Sequence, residues 1–314
     1  MANNKLVVLT RDTEEYAQEL SKLALPNLDF VIPNTEEETK AALLDANIII
    51  GVPWMIKEHI NDAKNVVWVQ SSFAGIDALN DESLRKDYVL TNVKEVYGEG
   101  MAEYVFSYVL CIEKEIIENV KFQKQKKWNQ KPCSVLQGKT LCIMGTGSIG
   151  KEIARIAKAF GMNVLGYRKS KGEVDNFDGI FVEDQLRAFL SQGDFVVNVL
   201  PSTRDTFNII NKSSLDSMKK NAILINIGRG SAVNEEDIMN AVKKKKIAKA
   251  VLDVFNEEPL SRDSPLWDTK NIYITPHVSG YIRSNKIFEI FAENYKRFVK
   301  GKELLYKVDF EKGY

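Results

Sequence analysis

The chain has 314 residues, more than one hydrophobic core usually serves, so two domains are expected. Its 43 lysines and arginines balance 43 aspartates and glutamates, which removes the global attraction a nucleic-acid binder relies on and favours a small-molecule ligand. Three scattered cysteines, Cys111, Cys133 and Cys142, form neither a metal pattern nor a disulfide framework, so no metal is expected and a reducing cytoplasm fits.

From Met1 the chain runs through Asn4 and Lys5 straight into an apolar run, with no signal core, and no segment approaches the roughly 20 apolar residues of a membrane span. The first hundred residues alternate strands (Leu6 to Thr10, Asp29 to Ile32, Ile48 to Val52, Val66 to Gln70, Tyr88 to Asn92) with helices around Glu14 to Leu25 and Glu36 to Leu44. Lys57-Glu58-His59-Ile60 reads as a surface helix. Gly100 to Trp128 reads as one long linking helix, with Val105, Tyr108, Val109, Ile112, Ile116, Val120 and Phe122 on or near one side. The lysine runs 121–127 and 243–246 read as solvated helix ends in preference to a nucleic-acid surface. A second series of strands follows at Leu141, Asn163 to Tyr167, Phe195 to Leu200, Ala222 to Ile227, Lys249 to Val254 and Ile272 to Thr275. Alternation of this kind predicts an α/β protein with two doubly wound parallel-sheet domains. A last helix is expected over Asn285 to Val299, with Ile287, Phe288, Ile290, Phe291 and Phe298 for packing.

Gly145-Thr146-Gly147-Ser148-Ile149-Gly150 lies between the apolar run Lys139 to Met144 and a helical pattern from Lys151 to Phe160. In that context the first glycine permits a tight turn, the second lets the backbone approach a pyrophosphate, and the third lets helix pack on strand. The helix N-terminus attracts the negative charge. Downstream come Gly228-Arg229-Gly230, Glu257-Glu258-Pro259-Leu260 and Pro276-His277, a cation, a carboxylate and an imidazole in order.

With Ser71-Ser72-Phe73-Ala74-Gly75-Ile76-Asp77, Leu200-Pro201-Ser202-Thr203, Asn226 to Gly230, Leu252 to Leu260 and Thr275 to Gly280, the series resembles the D-isomer-specific 2-hydroxyacid dehydrogenases over nearly the whole chain. The resemblance implies a Rossmann cofactor domain over 100–282, including the linking and dimerising helix. It also implies a discontinuous, flavodoxin-like substrate domain over 1–99 and 283–314.

It further implies reduction of a small 2-keto acid to the D-2-hydroxy acid. His277 would donate the proton, a task suited to a group that titrates near neutral pH. Glu258, preferred over Glu257 because it directly precedes the proline, would orient His277. Arg229 would bind the keto acid where negative charge develops. The backbone of Ala74 and Gly75 would hold the substrate carboxylate, with Arg229 and His277 completing the substrate contacts. Trp54, Tyr97, Met101, Trp128 and Tyr281 are pocket candidates, although such side chains more often belong to the core.

Cofactor contacts are expected from Gly145, Thr146, Gly147, Ser148, Ile149, Gly150, Arg168, Lys169, Ser170, Leu200, Pro201, Ile227, Gly228, Arg229, Asp253, His277, Ser279 and Gly280. Relatives specific for NAD(H) place an acid at the end of the second cofactor-domain strand, whereas Arg168, with Lys169 and Ser170, suits a 2′-phosphate, so NADP(H) is expected with NAD(H) possible. Trp128 to Cys133 and Pro259 to Trp267 look most like the glyoxylate/hydroxypyruvate reductase branch, which implies a homodimer. Phosphoglycerate dehydrogenase chemistry and a nucleotide-sensing corepressor role remain the alternatives on the same scaffold.

Overall fold

A computed structural model describes residues 3–280 and 282–311. Tyr281, one of the pocket candidates, lies outside the described residues. The chain divides into two compact units, one made of 1–96 with 282–314 and the other of 97–281.

The first unit carries β1 (Asn4–Leu9), α1 (Thr13–Lys22), β2 (Leu28–Val31), α2 (Glu36–Leu43), β3 (Ile48–Gly51), α3 (Pro53–Lys57), β4 (Trp68–Ser71) and β5 (Val89–Thr91). Its strands pair in parallel in the order β2-β1-β3-β4-β5, the flavodoxin-like arrangement. Ile48, Ile49 and Ile50 are fully buried, as expected of a strand covered on both faces. The helix Ser284–Phe298 returns to this unit: Phe291 stacks on the buried Trp68 ring at 5.2 Å, and the Tyr295 hydroxyl donates to the Pro26 and Asn27 carbonyls at 2.9 Å each.

His59 departs from the surface helix read in the sequence. The helix α3 stops at Lys57, the His59 amide donates to the Ile56 carbonyl at 3.1 Å, and the tightened turn directs both His59 and Ile60 inward. His59 is 9% exposed, with Nε2 3.7 Å from a Glu36 carboxylate oxygen.

The second unit begins with α4 (Gly98–Glu113) and α5 (Ile116–Lys124), so the single long helix expected from 100 to 128 is in fact two. The Lys114 amide closes on the Leu110 carbonyl, Glu115 takes a left-handed φ of 51°, and Asn119 then bonds back to Glu115 to start the next helix. Trp128 lies beyond α5. The remainder is β6 (Thr140–Met144), α6 (Ser148–Ala159), β7 (Asn163–Tyr167), β8 (Gly179–Phe181), α7 (Leu186–Leu190), β9 (Phe195–Asn198), α8 (Lys212–Asp216), β10 (Ile223–Asn226), α9 (Glu235–Lys243), β11 (Lys249–Leu252) and β12 (Ile272–Ile274). All seven strands are parallel, in the order β12-β11-β10-β9-β6-β7-β8. Counted from β6, this is the Rossmann order with a seventh strand added at one edge. No helix among the described residues is long and apolar enough to cross a membrane.

Candidate active site

The glycine turn joins β6 to α6, and each glycine meets a different demand. Gly145 has φ +105°, a conformation side chains rarely adopt, and its amide donates to the Tyr167 carbonyl at 2.9 Å. Gly147 is exposed, and a Cβ there would meet nothing within 4 Å, leaving room for a ligand against the backbone. A Cβ on Gly150 would lie 2.0 Å from the Gly145 carbonyl oxygen, so only glycine lets α6 start this close to the strand end. The twelve-residue helix begins at Ser148 with no side chain capping it, and its first amides are oriented to accept an anion. Thr146 is buried, Ile149 half-buried and Ser148 exposed.

Arg168 follows β7 directly. Its amide donates to the Phe181 carbonyl at 3.0 Å, which fixes the backbone against β8. Its half-buried side chain makes no hydrogen bond or ion pair with the described residues. Lys169 pairs with Asp205 at 2.7 Å, and Ser170 is exposed. An open glycine turn one strand away from an arginine at the strand end suits a dinucleotide carrying a 2′-phosphate.

Two buried asparagines, which the sequence reading missed as site residues, shape the next loops. Asn198 ends β9 and Asn226 ends β10, opposite each other in register and both fully buried. The Asn198 side-chain amide donates to Asn226 Oδ1 at 2.9 Å, while Asn198 Oδ1 accepts from the Leu200 amide at 3.2 Å. Asn226 Oδ1 also accepts from the Gly228 amide at 3.3 Å, and its Nδ2 donates to the Arg229 carbonyl at 3.1 Å. The pair therefore ties the Leu200-Pro201 segment to the one carrying Arg229. A Cβ on Gly228 would come within 2.8 Å of the Leu200 carbonyl oxygen, which explains the glycine. Arg229 is half-buried, with Nη1 donating to the Gly228 carbonyl at 2.8 Å. Ile227 is 3% exposed, which leaves its backbone as the part able to meet a cofactor.

Glu258 and His277 come together directly. Glu258 Oε2 lies 2.7 Å from His277 Nδ1, and Oε1 accepts from the Phe255 amide at 2.9 Å. The carboxylate is thus pinned to the backbone on one side and steers the imidazole on the other. The His277 side chain is 51% exposed. A ring anchored at Nδ1 and open to solvent can exchange a proton through Nε2.

The sequence reading places Asp253 among the cofactor contacts; the structure surrounds its carboxylate with donors from the protein. Asp253 is fully buried, and both carboxylate oxygens are engaged by the protein. Oδ1 accepts from the Thr275 hydroxyl at 2.6 Å and from the Val278 amide at 2.9 Å; Oδ2 accepts from the Ser279 amide at 2.9 Å. Its work is to hold the loop that carries His277. Ser279 is buried and Gly280 half-buried beside the Tyr97 ring.

Within the first unit, Ala74 and Gly75 sit in the loop after β4, both half-buried. The loop is braced by the Asn92 side-chain amide, whose Nδ2 donates to the Ala74 carbonyl at 2.8 Å. Trp54 is half exposed and packs on Phe73 at 5.3 Å, whereas Tyr97 and Met101 are buried in the second unit. Trp128 is 91% exposed. No group of three or more His, Cys, Asp or Glu side chains among the described residues could hold a metal ion.

The family model of the D-isomer specific 2-hydroxyacid dehydrogenase NAD binding domain matches residues 106–279. A glyoxylate reductase from Pyrococcus horikoshii is 32% identical over 278 residues, covering 83% of this chain and 82% of its own length. The crystal structure of a D-isomer specific 2-hydroxyacid dehydrogenase family protein from Aeromonas salmonicida matches with a TM-score of 0.95 at 39% identity, covering 98% of this chain and all of the other. An NADPH-dependent glyoxylate/hydroxypyruvate reductase from Sinorhizobium meliloti, solved in complex with NADP and sulfate, matches with a TM-score of 0.87 at 27% identity over 99% of this chain and 100% of that one.

Proposed function

The chain belongs to the D-isomer specific 2-hydroxyacid dehydrogenases, NAD(P)-dependent oxidoreductases, and from this we propose that it reduces a small 2-keto acid of the glyoxylate or hydroxypyruvate type to the D-2-hydroxy acid. NADPH is the preferred reductant, with NADH accepted. The observation that carries the reading is the His277–Glu258 pair, a half-exposed imidazole held through one nitrogen. The names of the similar reductases support the substrate class and, with Arg168, the choice of nicotinamide.

When bound, the nicotinamide supplies a hydride to the carbonyl carbon. His277 gives a proton to the carbonyl oxygen as charge develops there, so C=O becomes CH–OH with one hydride and one proton added. Glu258 keeps the imidazole aimed. Arg229 offers its guanidinium to the substrate carboxylate and the developing oxyanion. The Gly147 opening and the first turn of α6 would receive the pyrophosphate, while Arg168 would hold the 2′-phosphate.

A panel of 2-keto acids assayed with each nicotinamide tests this. Glyoxylate and hydroxypyruvate are expected to be reduced fastest, with the higher kcat/KM for NADPH. A chain that oxidises neither nicotinamide with any keto acid would instead fit a nucleotide-sensing interaction protein, and turnover confined to 3-phosphohydroxypyruvate would move it to the phosphoglycerate dehydrogenase branch.

We also infer a homodimer. The face of α4 formed by Met101, Val105, Phe106 and Val109 is buried within its own unit, so it is α5 and the segment after it that display unsatisfied apolar surface: Ile116, Val120, Trp128 and Val135 are 48%, 45%, 91% and 60% exposed. Apolar exposure of this extent marks an interaction surface, and obligate interfaces bury upward of about 2,000 Å². Light scattering is expected to give twice the chain mass at micromolar concentration; an active monomer would contradict the inference. Three cysteines with no disulfide among them fit a reducing cytoplasm.

A further inference from the structure

His277 occupies an unfavourable backbone conformation. Its φ is +54°, in the left-handed region that costs a non-glycine residue about 1 kcal/mol and persists only where the surroundings enforce it. The enforcement comes from one residue. Asp253 accepts the His277 amide on its main-chain carbonyl at 2.8 Å, and its carboxylate grips Thr275 on one side of His277 and the Val278 and Ser279 amides on the other.

The grip extends one step further, to α4. The Tyr104 hydroxyl is hydrogen-bonded to Thr275 Oγ1. A carboxylate only accepts, so the Thr275 proton goes to Asp253 and the Tyr104 proton must go to Thr275. The chain of donors thus runs in one direction, from Tyr104 to Thr275 to Asp253. Burial pushes the Tyr104 pKa well above its ordinary value, so the hydroxyl stays a donor throughout the working range. The ring is held in place by Tyr108, 5.1 Å away, which in turn packs on Tyr273 of β12 at 6.3 Å.

We propose that Tyr104 is a positioning residue for His277, acting through Thr275 and Asp253. It touches no reacting atom. By donating to Thr275 Oγ1, it leaves the threonine proton to point at Asp253, and so keeps the carboxylate at the spacing that holds the strained loop. The proton donor is then referenced to α4, a helix with one face buried in its own unit, as well as to the edge of the sheet. This inference rests on the reading of His277 as the proton donor.

The experiment compares Tyr104→Phe, Thr275→Val and Thr275→Ser in the full chain, using keto-acid turnover, NADPH affinity by fluorescence, and the ring signals of nitrogen-15 labelled histidine. With only His59 and His277 in the sequence, His277→Ala assigns the second signal. Loss of one part-buried hydrogen bond predicts about a tenfold fall in kcat for Y104F and T275V, with NADPH affinity unchanged. The double variant falls no further than the worse single one, because both break the same chain. T275S restores turnover, and Y104F moves the His277 ring signal but not that of His59. Wild-type kcat with an unmoved His277 signal in Y104F overturns the proposal, as do fully additive losses in the double variant. If His277→Ala itself keeps full activity, the functional reading fails instead, a result separable from the ring signals.

Discussion

Replacing His277 with Ala is expected to lower kcat on the best keto acid by about 100- to 10,000-fold, the range over which positioned acid–base groups act. NADPH binding should survive. The side chain is half exposed and contributes little packing, and its recorded hydrogen bond is the one to Glu258. The hydrogen bonds accepted by Asp253 come from the backbone of the loop and from Thr275, so the loop should keep its shape. Glu258→Gln should follow with a smaller loss, since the amide can still accept or donate near Nδ1 but no longer carries charge. Equal affinity for NADPH by titration with near-normal turnover in His277→Ala would remove the imidazole from the mechanism.

The second large effect concerns the choice of nicotinamide. Arg168→Asp replaces a guanidinium that has no protein partner among the described residues with a carboxylate facing the expected 2′-phosphate. A charge-assisted pair is lost and a repulsion gained, together about 3 kcal/mol, so kcat/KM for NADPH should fall about 100-fold or more. NADH carries a 2′-hydroxyl there, and the new carboxylate can accept its hydrogen bond, so kcat/KM for NADH should hold or rise. Lys169 remains tethered to Asp205 at 2.7 Å, outside the substitution. Equal losses with both cofactors, or a wild-type preference for NADH, would overturn the assignment.

The sequence reveals what is local and conceals what depends on register. Strand β7 is readable because Asn163 to Tyr167 is an apolar run between turn residues, whereas β8 is only Gly179-Ile180-Phe181 and too short to stand out. The interruption between α4 and α5 carries no glycine or proline; a left-handed Glu115 does the work, and no periodicity announces it. Glu258 and His277 are legible as members of a motif and do meet. Asn198 and Asn226 lie inside two apolar runs, and their joint role appears only when parallel pairing sets them side by side. The bond between Tyr104 and Thr275 spans 171 positions, beyond any local pattern.

The helix Ser284–Phe298 covers Trp68 in the first unit, although the whole of the second unit lies between them in the chain. During synthesis the opening ninety-six residues therefore leave the ribosome without the lid of their own core, and must wait with a tryptophan face uncovered. The middle segment, already contiguous, is free to collapse first. Ser284–Phe298 consequently completes the core of the first unit only after the second unit has been synthesised.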